Sequence, residues 1–183
     1  MIFEDRADAG RRLAARLAAE LPAAAAGVRV LGIARGGVLV ARAVADALGV
    51  DCDVVVVRKL GAPWNPELAL GAIAPGVRVV DEAMLGGFGV TGPELERVAE
   101  REERELERRE ARFRAGRPAP DLAGATAVVV DDGIATGATA VAALRWARAH
   151  GAGHVVLAAP VAAAQSLRRL RREADEVVVL DAP

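Results

Sequence analysis

Six short segments of almost unbroken apolar, largely β-branched residues recur along the chain: Val28–Ile33, Val54–Val57, Val77–Val80, Ala127–Val130, Val155–Ala158 and Val177–Leu180. A strand that is apolar on both faces is stable only when both faces are covered, and that is the situation of a parallel sheet between helices. Helical patterns alternate with these segments. Asp5–Glu20 carries Leu13 and Leu17 at i, i+4, and Val38–Leu48 and Ala138–Ala149 each follow a strand. Ala164–Glu173 places Leu167 and Leu170 inward and Arg168, Arg169, Arg171 and Arg172 outward. The β–α–β–α order predicts an α/β fold with a doubly wound, mostly parallel sheet flanked by helices. With 183 residues, 53% of them hydrophobic, one well-buried domain over residues 1–183 is expected, and a mainly disordered chain is excluded.

Charge and cysteine usage narrow the function classes. The formal net charge is −1, too low for a dedicated nucleic-acid coat, so nucleic acid is not an expected partner. No run of 18 uncharged apolar residues is present, which argues against a membrane span. The segment Met1–Arg6 has neither a basic nor an apolar leader region, and a cytoplasmic location is expected. Cys52 is the single cysteine, so an internal disulfide and a cysteine zinc cage are ruled out; it reads as a small buried hydrophobe. His150 and His154 are spaced i, i+4 but straddle Gly151 and Gly153, so they read as a helix end and a strand start rather than a metal pair.

The strand–helix rhythm breaks between Val57 and Ala127. An insertion of about residues 82–118 reads as a mobile Gly-rich loop, Met84–Val90, followed by a charged helix, Glu94–Ala115. Thr91-Gly92-Pro93-Glu94 fits a capping box with proline in the first turn. Apolar positions in this helix are sparse (Leu95, Val98, Leu106 and Phe113). Its interleaved Glu and Arg residues predict a solvated helix laced with i, i+4 pairs rather than a phosphate-binding stripe.

The segment Val128-Val129-Val130-Asp131-Asp132-Gly133-Ile134-Ala135-Thr136-Gly137-Ala138-Thr139 carries the chemistry. A buried strand delivers two adjacent carboxylates at its C-terminal end, where open α/β sheets bind ligands. Ala135 to Thr139 then turn into a helix. Small residues admit close backbone approach, and the turn N–H groups with the Thr136 and Thr139 hydroxyls form an anion cradle suited to a monoester phosphate. The acids do not suit the phosphate itself. They suit vicinal hydroxyls a few ångströms away, and a 5′-phosphoribose has both. A second glycine-rich turn, Ala34-Arg35-Gly36-Gly37, follows strand Val28–Ile33 and enters a helix directly, so N–H groups and Arg35 converge there. Arg58 and Lys59 are expected to close the next parallel strand on the same sheet edge, and Lys59 is the only lysine among 24 basic residues.

These stretches resemble the type I phosphoribosyltransferases, and most closely a bacterial group of them whose acceptor is unsettled. The likeness runs from Phe3 to Leu180 through Leu31–Val38, Val57–Pro63 with Asn65–Ala72, the double-acid signature, and Ala159–Ala162. It implies binding of phosphoribosyl pyrophosphate (PRPP) and transfer of its phosphoribosyl group to a small nitrogenous or other acceptor, with release of pyrophosphate. It implies a PRPP site of Ala34, Arg35, Gly36, Gly37, Arg58, Lys59, Asp131, Asp132, Gly133, Ala135, Thr136, Gly137, Ala138 and Thr139. Arg35, Lys59, Asp131 and Asp132 would be the catalytic set, with Mg²⁺ held through the substrate by Asp131 and Asp132. A homodimer with a reduced hood is expected as well. Two departures matter. Ala135 stands where hypoxanthine-type relatives carry an acid, and the aromatic-containing tail of relatives does not follow Asp181-Ala182-Pro183. A non-catalytic PRPP-binding regulator and a hood-less subunit completed by a partner are the alternatives.

Overall fold

The computed structural model of the chain describes residues 3–21 and 27–183; Met1 and Ile2, part of the segment searched for a leader, lie outside them. Five strands form one wholly parallel sheet: β1 (Arg29–Ile33), β2 (Asp51–Val55), β6 (Thr126–Val130), β7 (His154–Val161) and β8 (Glu176–Asp181). Their spatial order is β2-β1-β6-β7-β8. Side chains alternate across it. Val30, Val128, Val130, Val156 and Val178 face helices α1 (Arg6–Glu20) and α2 (Gly36–Leu48), where Leu13, Leu17, Val40 and Val44 complete a core. Leu31, Ile33, Val129 and Leu157 face the other way, onto Val141, Leu144 and Trp146 of α5 (Ala138–Ala149) and Leu170 of α6 (Ala164–Glu173). Each such leucine or valine taken fully from water contributes about 1.5–3 kcal/mol before its entropy cost. Covering both faces is what the unbroken apolar runs required.

The interval between β2 and β6 differs from expectation in several places. Val77–Val80 is a strand, but of a second, antiparallel sheet: β3 (Arg58–Ala62), β4 (Asn65–Ala74) and β5 (Val77–Val80), in the order β3-β4-β5. One face of this ribbon, with Ala72, Ala74 and Val79, joins the core around α5; the other, with Leu60 and Ile73, meets α4 (Gly92–Arg114). Met84–Val90, read as a loop, is largely a short helix, α3 (Glu82–Phe88). Asp81 caps it by accepting from the Met84 N–H at 3.1 Å, which offsets the poor helix propensity of Gly86 and Gly87.

Helix α4 is also less solvated than its composition suggests. Leu95, Val98, Ala99, Glu102 and Leu106 form a buried stripe at helical spacing against the small sheet. At its start the Glu94 carboxylate accepts from the Thr91 N–H at 2.9 Å and hydroxyl at 2.7 Å, the reach-back half of the expected box. Among the described residues no helix is long and apolar enough to cross a membrane.

Candidate functional site

From β1 the chain moves outward to β2; from β6 it moves the opposite way, to β7 and β8. The adjacent pair β1 and β6, with Gly32 opposite Val130, is therefore where the winding reverses. Doubly wound sheets open a crevice at the C-terminal ends of such a pair. Both glycine-rich turns leave from there.

On the β1 side, the Ala34–Arg35 peptide is cis and Arg35 is the N-cap of α2. The first N–H groups of that helix have no intrahelical acceptor and mark its positive end. Gly36 and Gly37 are required by proximity to the acids. A Cβ on Gly36 would lie 2.0 Å from Asp132 Oδ2, and one on Gly37 would lie 2.6 Å from the Val130 carbonyl and 3.0 Å from Asp131 Cα. The N-terminus of α2 is thus pressed against the end of β6.

On the β6 side, the Asp131 N–H continues the ladder to the Ala158 carbonyl at 3.1 Å, and the residue is only 9% exposed. Burial pushes the Asp131 carboxyl up from its ordinary 3.8 to about 7; the Asp132 N–H, donating at 2.9 Å, pulls the other way, and the adjacent Asp132 carboxylate adds to the rise. Asp132 Oδ2 accepts from Arg6 Nε at 2.9 Å and lies 2.8 Å from Nη2. Arg6 went unnoticed in the sequence because 126 residues separate it from its partner.

The turn after the acids is held from below. Ile134 donates to the Val161 carbonyl at 2.9 Å and accepts from the Ala163 N–H at 2.8 Å, while the Ser166 hydroxyl donates to the Ala135 carbonyl. Gly137, at φ +79°, caps α5, a backbone setting that side chains other than glycine rarely adopt. The first helical bond runs from the Val141 N–H to the Gly137 carbonyl at 2.9 Å, so the N–H groups of Ala138, Thr139 and Ala140 lack intrahelical acceptors. Ala135 and Thr136 are exposed and Thr139 is half-buried. The free N–H groups at this helix N-terminus thus lie a few residues beyond the two carboxylates, a backbone setting that favours anions.

Arg58 and Lys59 require a correction. They do not close a parallel strand: β2 ends at Val55, and they open β3 of the antiparallel ribbon. The run Val54–Val57 followed by cations mimics a single terminated strand. Arg58 donates to Glu102 through Nε at 2.9 Å and Nη2 at 2.6 Å, and Lys59 Nζ donates to Glu67 at 2.9 Å. Structure thus brings together Arg35, Gly36, Gly37, Asp131, Asp132 and the turn to Thr139, and leaves the two cations on another sheet, each on a carboxylate.

The remaining candidates have ordinary partners. His150 Nδ1 lies 2.9 Å from the Trp146 carbonyl, and His154 sits between Asp175 and Glu176. Cys52 is half-buried in β2, and burial pushes its thiol up, away from nucleophilic character.

The fold is a doubly wound sheet with two adjacent acids at its switch point, and comparison with known proteins gives its family. The chain belongs to the phosphoribosyl transferase domain family, whose model matches residues 2–181. It is 51% identical over 183 residues to the Mycobacterium tuberculosis proteins MT0597 and Rv0571c, each provisionally named a phosphoribosyl transferase. That match takes in 100% of this chain and 41% of theirs, so the chain spans about two fifths of the length of these relatives. The crystal structure of TT1426 from Thermus thermophilus is similar at 44% identity and a TM-score of 0.79, covering 100% of this chain and 86% of that one. The fold is shared with the adenine phosphoribosyl transferase of Trypanosoma brucei, solved with AMP, pyrophosphate and ribose-5-phosphate (14% identity, TM-score 0.52, 96% of this chain and 64% of that one).

Proposed function

We propose that the chain binds PRPP and transfers its phosphoribosyl group to a small nitrogenous or other acceptor, releasing pyrophosphate. One observation carries the reading: two adjacent carboxylates, one of them buried, stand a few residues before a helix N-terminus at the switch point of the sheet. The turn from Gly133 to Thr139 would hold the 5′-phosphate, and this binding energy, remote from C1, can be used at the reacting carbon. Asp131 and Asp132 would orient the ribose hydroxyls and offset the positive charge that develops as the bond from C1 to the diphosphate breaks and the bond to the acceptor forms. The diphosphate leaves with the bonding electrons, and the acceptor proton passes to solvent. Ala34 to Gly37 would receive that diphosphate on the free N–H groups of α2 and on Arg35. Arg58 and Lys59, held by Glu102 and Glu67, keep further N–H donors, and Arg6 on Asp132 Oδ2 leaves Oδ1 for the ribose.

The residues fit Mg²⁺ as a substrate-borne ion. Carboxylate oxygens are the donors it prefers, and among the described residues no cluster of three His, Cys, Asp or Glu side chains could cage it alone. Bound with PRPP, it would supply charge neutralisation on the diphosphate.

The test is calorimetric and thermal. PRPP with Mg²⁺ should raise the melting temperature, by an amount equivalent to about 2.7 kcal/mol once the ligand reaches about 100 times its dissociation constant. Asp131→Asn with Asp132→Asn should abolish that rise while the unliganded variant still melts cooperatively. No response to millimolar PRPP in the unaltered chain would overturn the proposal.

A further inference from the structure

A cavity of about 360 Å³ lies between Arg35 and one face of α4, lined by Glu105, Arg108, Arg109, Arg112 and Phe113. Positions 105, 108, 109 and 112 share that face by helical spacing. The charge balance is unusual for this chain. Glu105 serves both Arg108, through Nε at 2.9 Å and Nη2 at 2.5 Å, and Arg109 at 2.6 Å. Among the described residues the side chains of Arg35 and Arg112 have no ion-pair or hydrogen-bond partner. Four arginines and one glutamate therefore border a half-open cavity whose walls are largely apolar, and Arg35, Arg108 and Arg112 are themselves exposed. Elsewhere on α4 arginines are paired with its glutamates: Glu102 takes Arg58 and Arg101, and Arg78 is shared by Glu96 and Glu103.

Like charges gathered around a cavity repel unless an anion enters. Guanidinium forks match carboxylate and phosphate oxygens two at a time, and they stack on flat rings. Phe113, half-buried in the core beneath α4, adds an aromatic wall, and the volume suits a one-ring or two-ring molecule. We infer that this cavity is a binding site for a small planar anion, an aromatic carboxylate or phosphate, seated against the pyrophosphate loop through Arg35. As the place of the acceptor it rests on the function proposed above; as an anion site it does not.

The experiment is titration of the full chain with phthalate and with phenyl phosphate, with neutral benzamide as the control. Phthalate and phenyl phosphate should bind, more weakly as salt rises, and benzamide should not. Arg108→Gln with Arg112→Gln should weaken both anions roughly tenfold or more, since charge-assisted contacts are lost. PRPP-induced stabilisation should persist in that variant, and Asp131→Asn should leave phthalate binding unchanged. Equal binding of benzamide, or unaltered phthalate binding in the double-glutamine variant, overturns the inference. Phthalate binding in a chain that ignores PRPP would sustain the anion site while removing the proposed function.

Discussion

Asp131 is a carboxyl group placed where ionisation is costly. Its folded value of about 7 lies above the ordinary 3.8, so between those limits the folded chain holds a proton that the unfolded chain has released. Stability from this group is therefore fully present below about pH 4 and is lost as pH rises from there through about 7. Asp131→Asn should remove that decline: urea melts at pH 5 and pH 8 should differ less in the variant than in the parent chain. The two neighbouring glycines separate in the same kind of measurement. Gly37→Ala drives a Cβ into the backbone at Val130 and Asp131, and overpacking of that sort costs about 1–3 kcal/mol. Gly36→Ala meets the Asp132 carboxylate first, the end of a side chain that can swing away. Its expected signature is a nearly normal melt with weakened PRPP binding, because the acid has been moved. The acids and the glycines were legible in the sequence as a motif, but their mutual contact was not, since nothing local says that residue 36 touches residue 132.

Helix α4 meets the small sheet through an apolar stripe that includes one buried polar contact, besides the exposed pairs of Arg78 with Glu96 and Glu103. Glu102, 8% exposed, receives Arg58 from β3. Glu102→Ala leaves a half-buried guanidinium without its partner and should cost about 1–3 kcal/mol, read from denaturant midpoints. Replacing both partners with Leu and Met should recover part of that loss, since an unpaired charge is worse than none. Glu67→Ala should change stability by less than about 1 kcal/mol, because its pair with Lys59 is solvent-exposed. The parallel strands could be read because double-sided burial leaves an unbroken apolar run. Strand β4 could not: Asn65-Pro66-Glu67 at its start is exposed, and the stretch that follows mixes Ala and Gly with Leu68, Leu70 and Ile73 without a β-branched run. Helix α3 was hidden by Gly86 and Gly87, which signal a turn even where Asp81 supplies a cap. The charged face of α4 was legible as solvated pairs, but the tertiary role of Glu102 was not, because a buried glutamate looks in sequence like any other on that helix.

The architecture unites what the chain keeps far apart. Both turns of the candidate site depart from β1 and β6, the central pair, and Arg29 lies opposite Ala127. About 100 residues must be drawn into a closed loop before that pair can form, an entropy cost met before any of its contacts repay it. Local structure has no such obstacle: α1 with α2, and the β3–β4 hairpin with α4, join segments much closer in sequence. Chains dominated by distant pairings fold slowly relative to those built from near neighbours. Binding competence should thus be among the last properties regained after dilution from denaturant, trailing the return of helical circular dichroism. During synthesis, likewise, β1 and its glycine turn wait with an open edge until β6 has been made.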